Sequence, residues 1–367
     1  MSATIDPATD TFVSAEAALV AVPLPRPIRV RGALLTEREY VVLRLRTASG
    51  LEGAAIGYTR GLPLLDAVER LMRELIEPAG AAPARQGPEA GRAGVRARSL
   101  VELARWDVEA RRAGLPLRKL LGGDRATVPV LAVGGYFLDE RTADDVVREF
   151  LELSDGGFRH LKLHADDPNL VARVARSLPA GVSLAVDLQM RHRTLEQALA
   201  ACRGLEGLGL AFVEDPFPPE LPGLTKALAK QVRTPVAAGE DAEDPAALVA
   251  LAAAADVVRV DATASGGIAA VEDALRVTRG GAKPVITHAF VELHAQIAGG
   301  LAGIDLVETI PYSSGANPVD RILAETQPVR NGEIVLSERP GNGLSFDWDA
   351  VAHHTRETRS HHIERRD

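Results

Sequence analysis

Apolar and polar residues change rhythm once along this chain, near residue 128. Before that point, residues ~14–60 alternate with the period of half-buried strands, as in Ala18–Val22 and Val41–Arg46. Between those runs lies PLPRPIRVRGALL, whose three prolines predict an ordered excursion outside the strands. Residues 63–120 shift to helical spacing, with Leu100, Leu103, Ala104 and Trp106–Val108 on one stripe and Gly114 and Gly122–Gly123 as terminators. The N-terminal third therefore reads as a small α+β unit. From Pro129 onward, short apolar runs alternate with helical segments. VPVLAVGGY is the first strand, a helix follows over 143–154, and FRHLKLH is the second strand. TLEQALAACRGLEG and DPAALVALAAAA read as later helices, opened by Thr and Asp as N-caps. Strands alternating with helices predict a parallel sheet, and eight such strands predict closure into a barrel. The loop-like PYSSGANP and NGEIVLSERPGNG are expected to pack back on the N-terminal unit, and the polar HHTRETRSHHIERRD to be a frayed tail.

The last six strands each end on an acidic residue or histidine: Asp187, Glu214, Glu240, Asp261, His288 and Glu308. They recur every ~20–27 residues, about the length of one strand, one helix and two short loops. In a parallel barrel all those ends converge on one face, where an active site is built. Three carboxylates on adjacent ends (Asp187, Glu214, Glu240) repel one another unless a cation sits among them. Each alone could cap a helix or pair with an arginine; three in consecutive units favour metal ligands. Oxygen donors without Cys or His select Mg2+ or a similar hard cation. Lys162 and His164 share a face at the end of strand two, either as a surface ion pair or as groups that move protons beside the metal. Asp261 and His288 end neighbouring strands, so the carboxylate can hold one imidazole nitrogen and leave the other basic. Glu308 either hydrogen-bonds the substrate or forms half of a structural salt bridge. A metal with a base on either side suits removal of a proton next to a substrate carboxylate, giving an enediolate.

Composition narrows the setting. A net charge of −8 argues against nucleic acid or an anionic membrane as partner. The single cysteine, Cys202, excludes an intramolecular disulfide and fits a cytoplasmic location. No run approaches ~18 apolar residues, and the first thirty residues lack a signal-peptide pattern, so neither a membrane span nor secretion is expected.

Over residues ~15–345 the chain resembles the enolase superfamily, mandelate racemase subgroup. The resemblance rests on Trp106-Asp107, the LLGG of Leu120–Gly123, VEDP at 213–216, AGED at 238–241 and SGG at 265–267. It implies a modified (β/α)8 TIM barrel over 128–324 and an α+β capping domain over 1–127, completed by 325–367. It also implies Mg2+ on Asp187, Glu214 and Glu240, a His288–Asp261 dyad, and Glu308 on the substrate carboxylate. Three positions depart from the subgroup pattern. His164 replaces a lysine in Lys162-Leu163-His164, Gln189 stands where asparagine is frequent, and Ala264 where mandelate racemase has lysine. The resemblance implies specificity from the capping loops, here Arg29, Arg31, Tyr58 and Arg60, a small-molecule carboxylate substrate, and a homo-oligomer. Dehydration of a sugar acid needs one secure base and is the expected reaction; racemisation or epimerisation, with His164 and His288 on opposite faces, is the alternative. A hydrolase of the amidohydrolase kind would need His-x-His on strand one, which is absent, and a non-catalytic binding barrel is the remaining competitor.

Overall fold

The computed structural model describes residues 10–77, 91–278 and 283–363. Three antiparallel strands open the chain: β1 (Phe12–Val30), β2 (Ala33–Thr47) and β3 (Glu52–Tyr58). The proline-rich stretch is not an excursion. It stays in β1, and the pairing with β2 skips from Pro23↔Glu37 to Ile28↔Leu35. Prolines cannot donate to a ladder, and they fall where the ladder is already interrupted. Arg31 (φ 50°) and Gly32 (φ 83°) then turn the chain as a two-residue hairpin of the primed kind. Helices α1 (Leu64–Ile76) and α2 (Arg92–Arg112) cover the sheet, α1 burying Leu64, Leu65, Val68, Met72 and Ile76 along one stripe. A short α3 (Leu117–Leu120) leads to the barrel.

Eight parallel strands follow: β4 (Thr127–Gly134), β5 (His160–Leu163), β6 (Ser183–Asp187), β7 (Val213–Glu214), β8 (Val236–Ala238), β9 (Val257–Val260), β10 (Val285–Thr287) and β11 (Val307–Thr309). They pair in sequence order, β11 returns to pair with β4, and a bridge from Ile286 to Leu306 closes the ring. Helices α4 (Ala143–Asp155), α5 (Pro168–Ser177), α6 (Leu195–Leu205), α7 (Pro222–Ala229), α8 (Pro245–Ala254), α9 (Gly267–Thr278) and α10 (Val291–Gly300) join consecutive strands. The expected caps form: Thr194 accepts from Gln197 N–H and Asp244 from Ala247 N–H.

The unit departs from a regular (β/α)8 pattern after β11, where 3-10 turns at Tyr312–Ser314 and Pro318–Ile322 replace an eighth helix. This segment is held by the N-terminal sheet, because Tyr40 and Tyr58 both donate to Asn317 Oδ1, at 2.9 and 2.8 Å. A hairpin, β12 (Val329–Arg330) and β13 (Glu333–Val335), pairs with the start of β4. After α11 (Trp348–His354), the polar tail forms β14 (Thr355–His362), antiparallel to β1. The expected fraying is wrong for these residues. An edge strand needs one apolar face at most, and alternate polar side chains face solvent. Among the described residues no helix is long and apolar enough to cross a membrane.

Inside the barrel, side chains form layers. Leu131, Ala185, Phe212, Ala237, Val257 and Ile286 make a dry plug. Two residues further along the same strands, the period of 2 brings Asp187, Glu214, Arg259 and His288 onto the plug. That step from apolar to charged defines the site floor.

Candidate active site

Three carboxylates meet above the plug. One oxygen each from Glu214, Glu240 and Glu308 lies within 4.8 Å of the others, and all three residues are buried. Gly239 makes room for this arrangement: its backbone is left-handed (φ 136°), and a Cβ there would come 2.2 Å from Arg259 O. Two cations thread the cluster. Lys162 Nζ lies 2.6 Å from both Glu214 Oε1 and Glu308 Oε2. Arg259, on β9 two residues before Asp261, approaches Glu214 (3.1 Å), Glu240 (3.4 Å) and Glu308, and donates to Thr287 O. Asp187 stands outside the trio but lines the same cavity; its Oδ1 accepts from Gln189 N–H at 2.7 Å.

Burial raises the Glu214 carboxyl well above the usual range, against the pull of Arg259 and Lys162. For Glu240 the same burial is outweighed by His288, Lys162 and Arg259, and its value falls well below normal. Glu308, between Lys162 and Arg259, is held down at about 2 despite burial. Glu214 Oε2 and Arg259 Nε face each other too obliquely to hydrogen-bond, so both are buried and unsatisfied. An all-oxygen donor set with an orphaned carboxylate oxygen fits a small hard cation.

The dyad is assembled across the β9 and β10 ends. His288 Nδ1 is 2.8 Å from Asp261 Oδ2, while Asp261 Oδ1 accepts from Thr263 N–H and Oγ1–H, both at 2.7 Å. Arg60 Nη2 lies 3.2 Å from His288 Nε2. A guanidinium only donates, which assigns the lone pair to Nε2 and the proton to Nδ1, toward Asp261. Burial opposes ionisation of Asp261, but the His288 hydrogen bond wins and lowers its pKa. A second histidine braces both strand ends. His294 Nδ1 donates to Ala289 O at 2.8 Å, and its Nε2 accepts from Ala262 N–H at 3.1 Å. Ala289 and Phe290 both have left-handed φ (51° and 38°), a strained turn that such a brace can sustain.

His164 follows β5, with its ring stacked on Tyr136 at 4.6 Å. Its Nε2 is 3.8 Å from Asp187, beyond hydrogen-bonding reach, and burial lowers its pKa to about 4. Lys162, His164, Asp187, Glu240, His288 and Glu308 line one cavity of about 30 Å³, roofed by Arg31, Arg38, Tyr58 and Arg60. Arg31 binds Glu240 (3.2 Å) and Asp241, and its N–H donates to Gln189 Oε1 at 3.3 Å. Arg29 lies apart, in an exposed pair with Asp139. It lines a second hollow of about 240 Å³, which shares Tyr136 and His164 with the first cavity and is also lined by Gln189. A further hollow of about 900 Å³ shares Tyr136, Phe137 and Glu140 with the second and is lined by none of the predicted site residues. Arg259, His294, Arg38 and Tyr136 were not foreseen. Only Arg259 carried a signal, since period 2 in VVRVD puts it on the face of Asp261.

Residues 14–122 match the family model for the mandelate racemase / muconate lactonizing enzyme N-terminal domain, and residues 145–350 match that of the enolase C-terminal domain-like family. The chain belongs to the mandelate racemase/muconate lactonizing enzyme family of the enolase superfamily. It is 28% identical to muconate cycloisomerase 1 of Rhodococcus opacus, over 94% of this chain and 99% of that protein. It is 26% identical to L-talarate/galactarate dehydratase of Salmonella typhimurium, over 90% and 88% respectively. The structure of L-talarate dehydratase from Polaromonas sp. JS666, complexed with Mg and L-glucarate, superposes with a TM-score of 0.82 at 25% identity, covering 97% of this chain and all of that one. Relatives in the enolase superfamily include dehydratases, cycloisomerases and epimerases, and this chain is an enzyme of that superfamily.

Proposed function

We propose that this enzyme removes the proton α to a substrate carboxylate and dehydrates a sugar acid to a 2-keto-3-deoxy acid. The observation that carries the reading is an asymmetry between the candidate bases. His288 is oriented by Asp261 at 2.8 Å and lines the cavity, where its Nε2 accepts from Arg60 and is freed as a base when Arg60 turns to the substrate. Lys162 is locked between two carboxylates, and His164 has no carboxylate within hydrogen-bonding distance. Dehydration needs only one such base.

Asp187, Glu214 and Glu240 would hold Mg2+, with Glu308 beside them. Bound there, the cation would take the substrate carboxylate and offset the charge that builds on it. His288 Nε2 accepts the C2 proton, and Asp261 stabilises the imidazolium so formed. The same imidazolium returns the proton to the C3 hydroxyl, which leaves as water. The enol left behind tautomerises to the 2-keto-3-deoxy product. Lys162 stays charged, because Glu214 and Glu308 outweigh its burial, and steadies the carboxylate face of the substrate. Arg31, Tyr58, Arg60 and Gln189 meet the rest of the molecule, and Arg29 reaches it only through the outer hollow. The Polaromonas and Salmonella relatives, named as dehydratases of acid sugars, support this choice.

Racemisation or epimerisation is the second reading, because His164 lines the same cavity and burial keeps it neutral and able to accept a proton. Proton NMR with Mg2+ in D2O, against a panel of sugar acids and α-hydroxy acids, separates the two. Loss of the C2 proton with a new 2-keto-3-deoxy signal supports dehydration. Deuterium wash-in without a new product replaces it with racemisation or epimerisation.

A further inference from the structure

Two sequence motifs, Trp106-Asp107 and Ser265-Gly266-Gly267, carry no chemistry in the reaction, yet the helix holding the first packs on the turn holding the second. Along α2, Arg96, Ser99 and Glu102 are spaced three apart, so they share one face, and each reaches the rim of the barrel. Arg96 Nη2 donates to Asp241 Oδ1, on the residue after Glu240, at 2.6 Å. Ser99 Oγ accepts from Gly266 N–H at 2.9 Å and gives its own proton to Val95 O. Glu102 Oε1 accepts from Ala269 N–H at 3.4 Å, in the first turn of α9, and from Trp106 Nε1–H at 3.3 Å.

The glycines make this close approach possible. Gly266 and Gly267 both have left-handed φ (114° and 79°), and a Cβ on Gly267 would fall 1.1 Å from Glu102 Oε2. The Glu102 carboxylate also meets the positive end of α9, where the first N–H groups lack partners within the helix. The turn gripped in this way begins at Asp261. Ala264 and Ser265 N–H both donate to Asp261 O at 3.1 Å, and Thr263 holds Asp261 Oδ1. On the barrel side, Ala262 N–H donates to His294. The aim of Asp261 Oδ2 at His288 Nδ1 therefore depends on the shape of a turn that His294 fixes at one end and α2 at the other.

We propose that Ser99 and Glu102 are positioning residues for the His288–Asp261 dyad. Seated on α2 of the N-terminal unit, they hold the turn over 261–269, so the base is aimed only while that unit is docked on the barrel. Neither residue lines the cavity, so both act through Asp261 and not on the substrate. The inference rests on the reading above in one respect, that His288 is the base.

The test follows, by proton NMR of the ligand-free enzyme, the Nδ1 proton that His288 gives to Asp261, and beside it the loss of the substrate C2 proton in D2O with Mg2+. Ser99→Ala and Glu102→Leu should move that resonance and lower kcat by roughly 10–100-fold with KM unchanged, the usual effect of losing an outer partner of an active group. Glu102→Gln keeps an acceptor oxygen and should restore most of both. Tyr40→Phe loosens the same unit at Asn317 without touching this turn, and should move neither. An unmoved resonance in Ser99→Ala and Glu102→Leu overturns the proposal, as does a moved resonance at unchanged kcat. An equal change in Tyr40→Phe also overturns it, since any loosening of the N-terminal unit would then suffice. Circular dichroism checks that each variant is folded, and Ser99→Ala carries the test if Glu102→Leu is not. The dehydration reading fails separately: the variants would alter the dyad resonance while wild type removes no C2 proton.

Discussion

At the scale of single residues, the chemistry depends on which nitrogen of His288 carries its proton. Asp261 and Arg60 together assign the lone pair to Nε2, facing the cavity. His288→Asn should therefore abolish exchange of the substrate C2 proton. Asp261→Asn should slow it by about 10²–10⁴-fold, the usual contribution of a positioned base, with little change in substrate affinity. Steady-state kinetics and NMR exchange check both; retained exchange in His288→Asn would move the base elsewhere. Glu308 offers a pH signature. Its carboxyl drops from an ordinary 4.5 to about 2 in the fold, so the stability it contributes is complete above pH 4.5 and lost as pH falls toward 2. The stability gap between wild type and Glu308→Gln should accordingly close over that window in acid-denaturation curves. Glu214 runs in the opposite sense, because burial raises its pKa and protonation relieves it. Arg259→Met should leave three buried carboxylates short of a counter-charge and cost about 3–5 kcal/mol without metal. Chemical denaturation should find part of that loss restored by Mg2+.

Elements decide how those residues are presented. Two glycines separate backbone strain from collision. Gly32 and Gly239 both have positive φ, but a Cβ at Gly32 meets nothing within 4 Å, whereas one at Gly239 strikes the Arg259 carbonyl. Gly32→Ala should cost about 1–2 kcal/mol, the left-handed penalty alone. Gly239→Ala should cost more and displace Glu240, which metal titration would register as weaker Mg2+ binding. The hairpin tip formed by Arg31 and Gly32 reaches over the barrel because β1 resumes pairing at Ile28 beyond its prolines. Strand β14 protects the outer edge of β1. Ending the chain after His354 should lower the thermal midpoint and expose that edge to association, both measurable by melting and light scattering.

The whole molecule joins two units through one site. The barrel supplies the acidic cluster and the dyad, and the N-terminal sheet supplies Arg31, Arg38, Tyr58 and Arg60 as a roof. Ligand binding at that seam should stabilise both together. With Mg2+ at about 100 times its dissociation constant, the gain is expected near 2.7 kcal/mol, seen as a higher melting midpoint that a chelator reverses. No such shift would mean that Lys162 and Arg259 already satisfy the carboxylates and exclude the metal.

Much of this was legible along the chain because it follows from local periodicity. Alternation of strand and helix gave the barrel, and a polar residue closing each apolar run marked Asp187, Glu214, Glu240, Asp261, His288 and Glu308. Strand period and strand order alone force those six side chains onto one end of the barrel. What required the folded molecule was everything set by residues distant in the chain. The prolines of β1 read as a loop until their pairing with β2 was known, and the polar tail read as frayed until β1 offered it an edge. The pairing of charges was equally hidden, since it depends on which side chains share a buried volume. Arg38, Arg31 and Arg60 look alike in the sequence, and only their packing shows that Arg31 lies against Glu240 and Asp241, Arg60 against His288, and Arg38 against the Ala316 carbonyl.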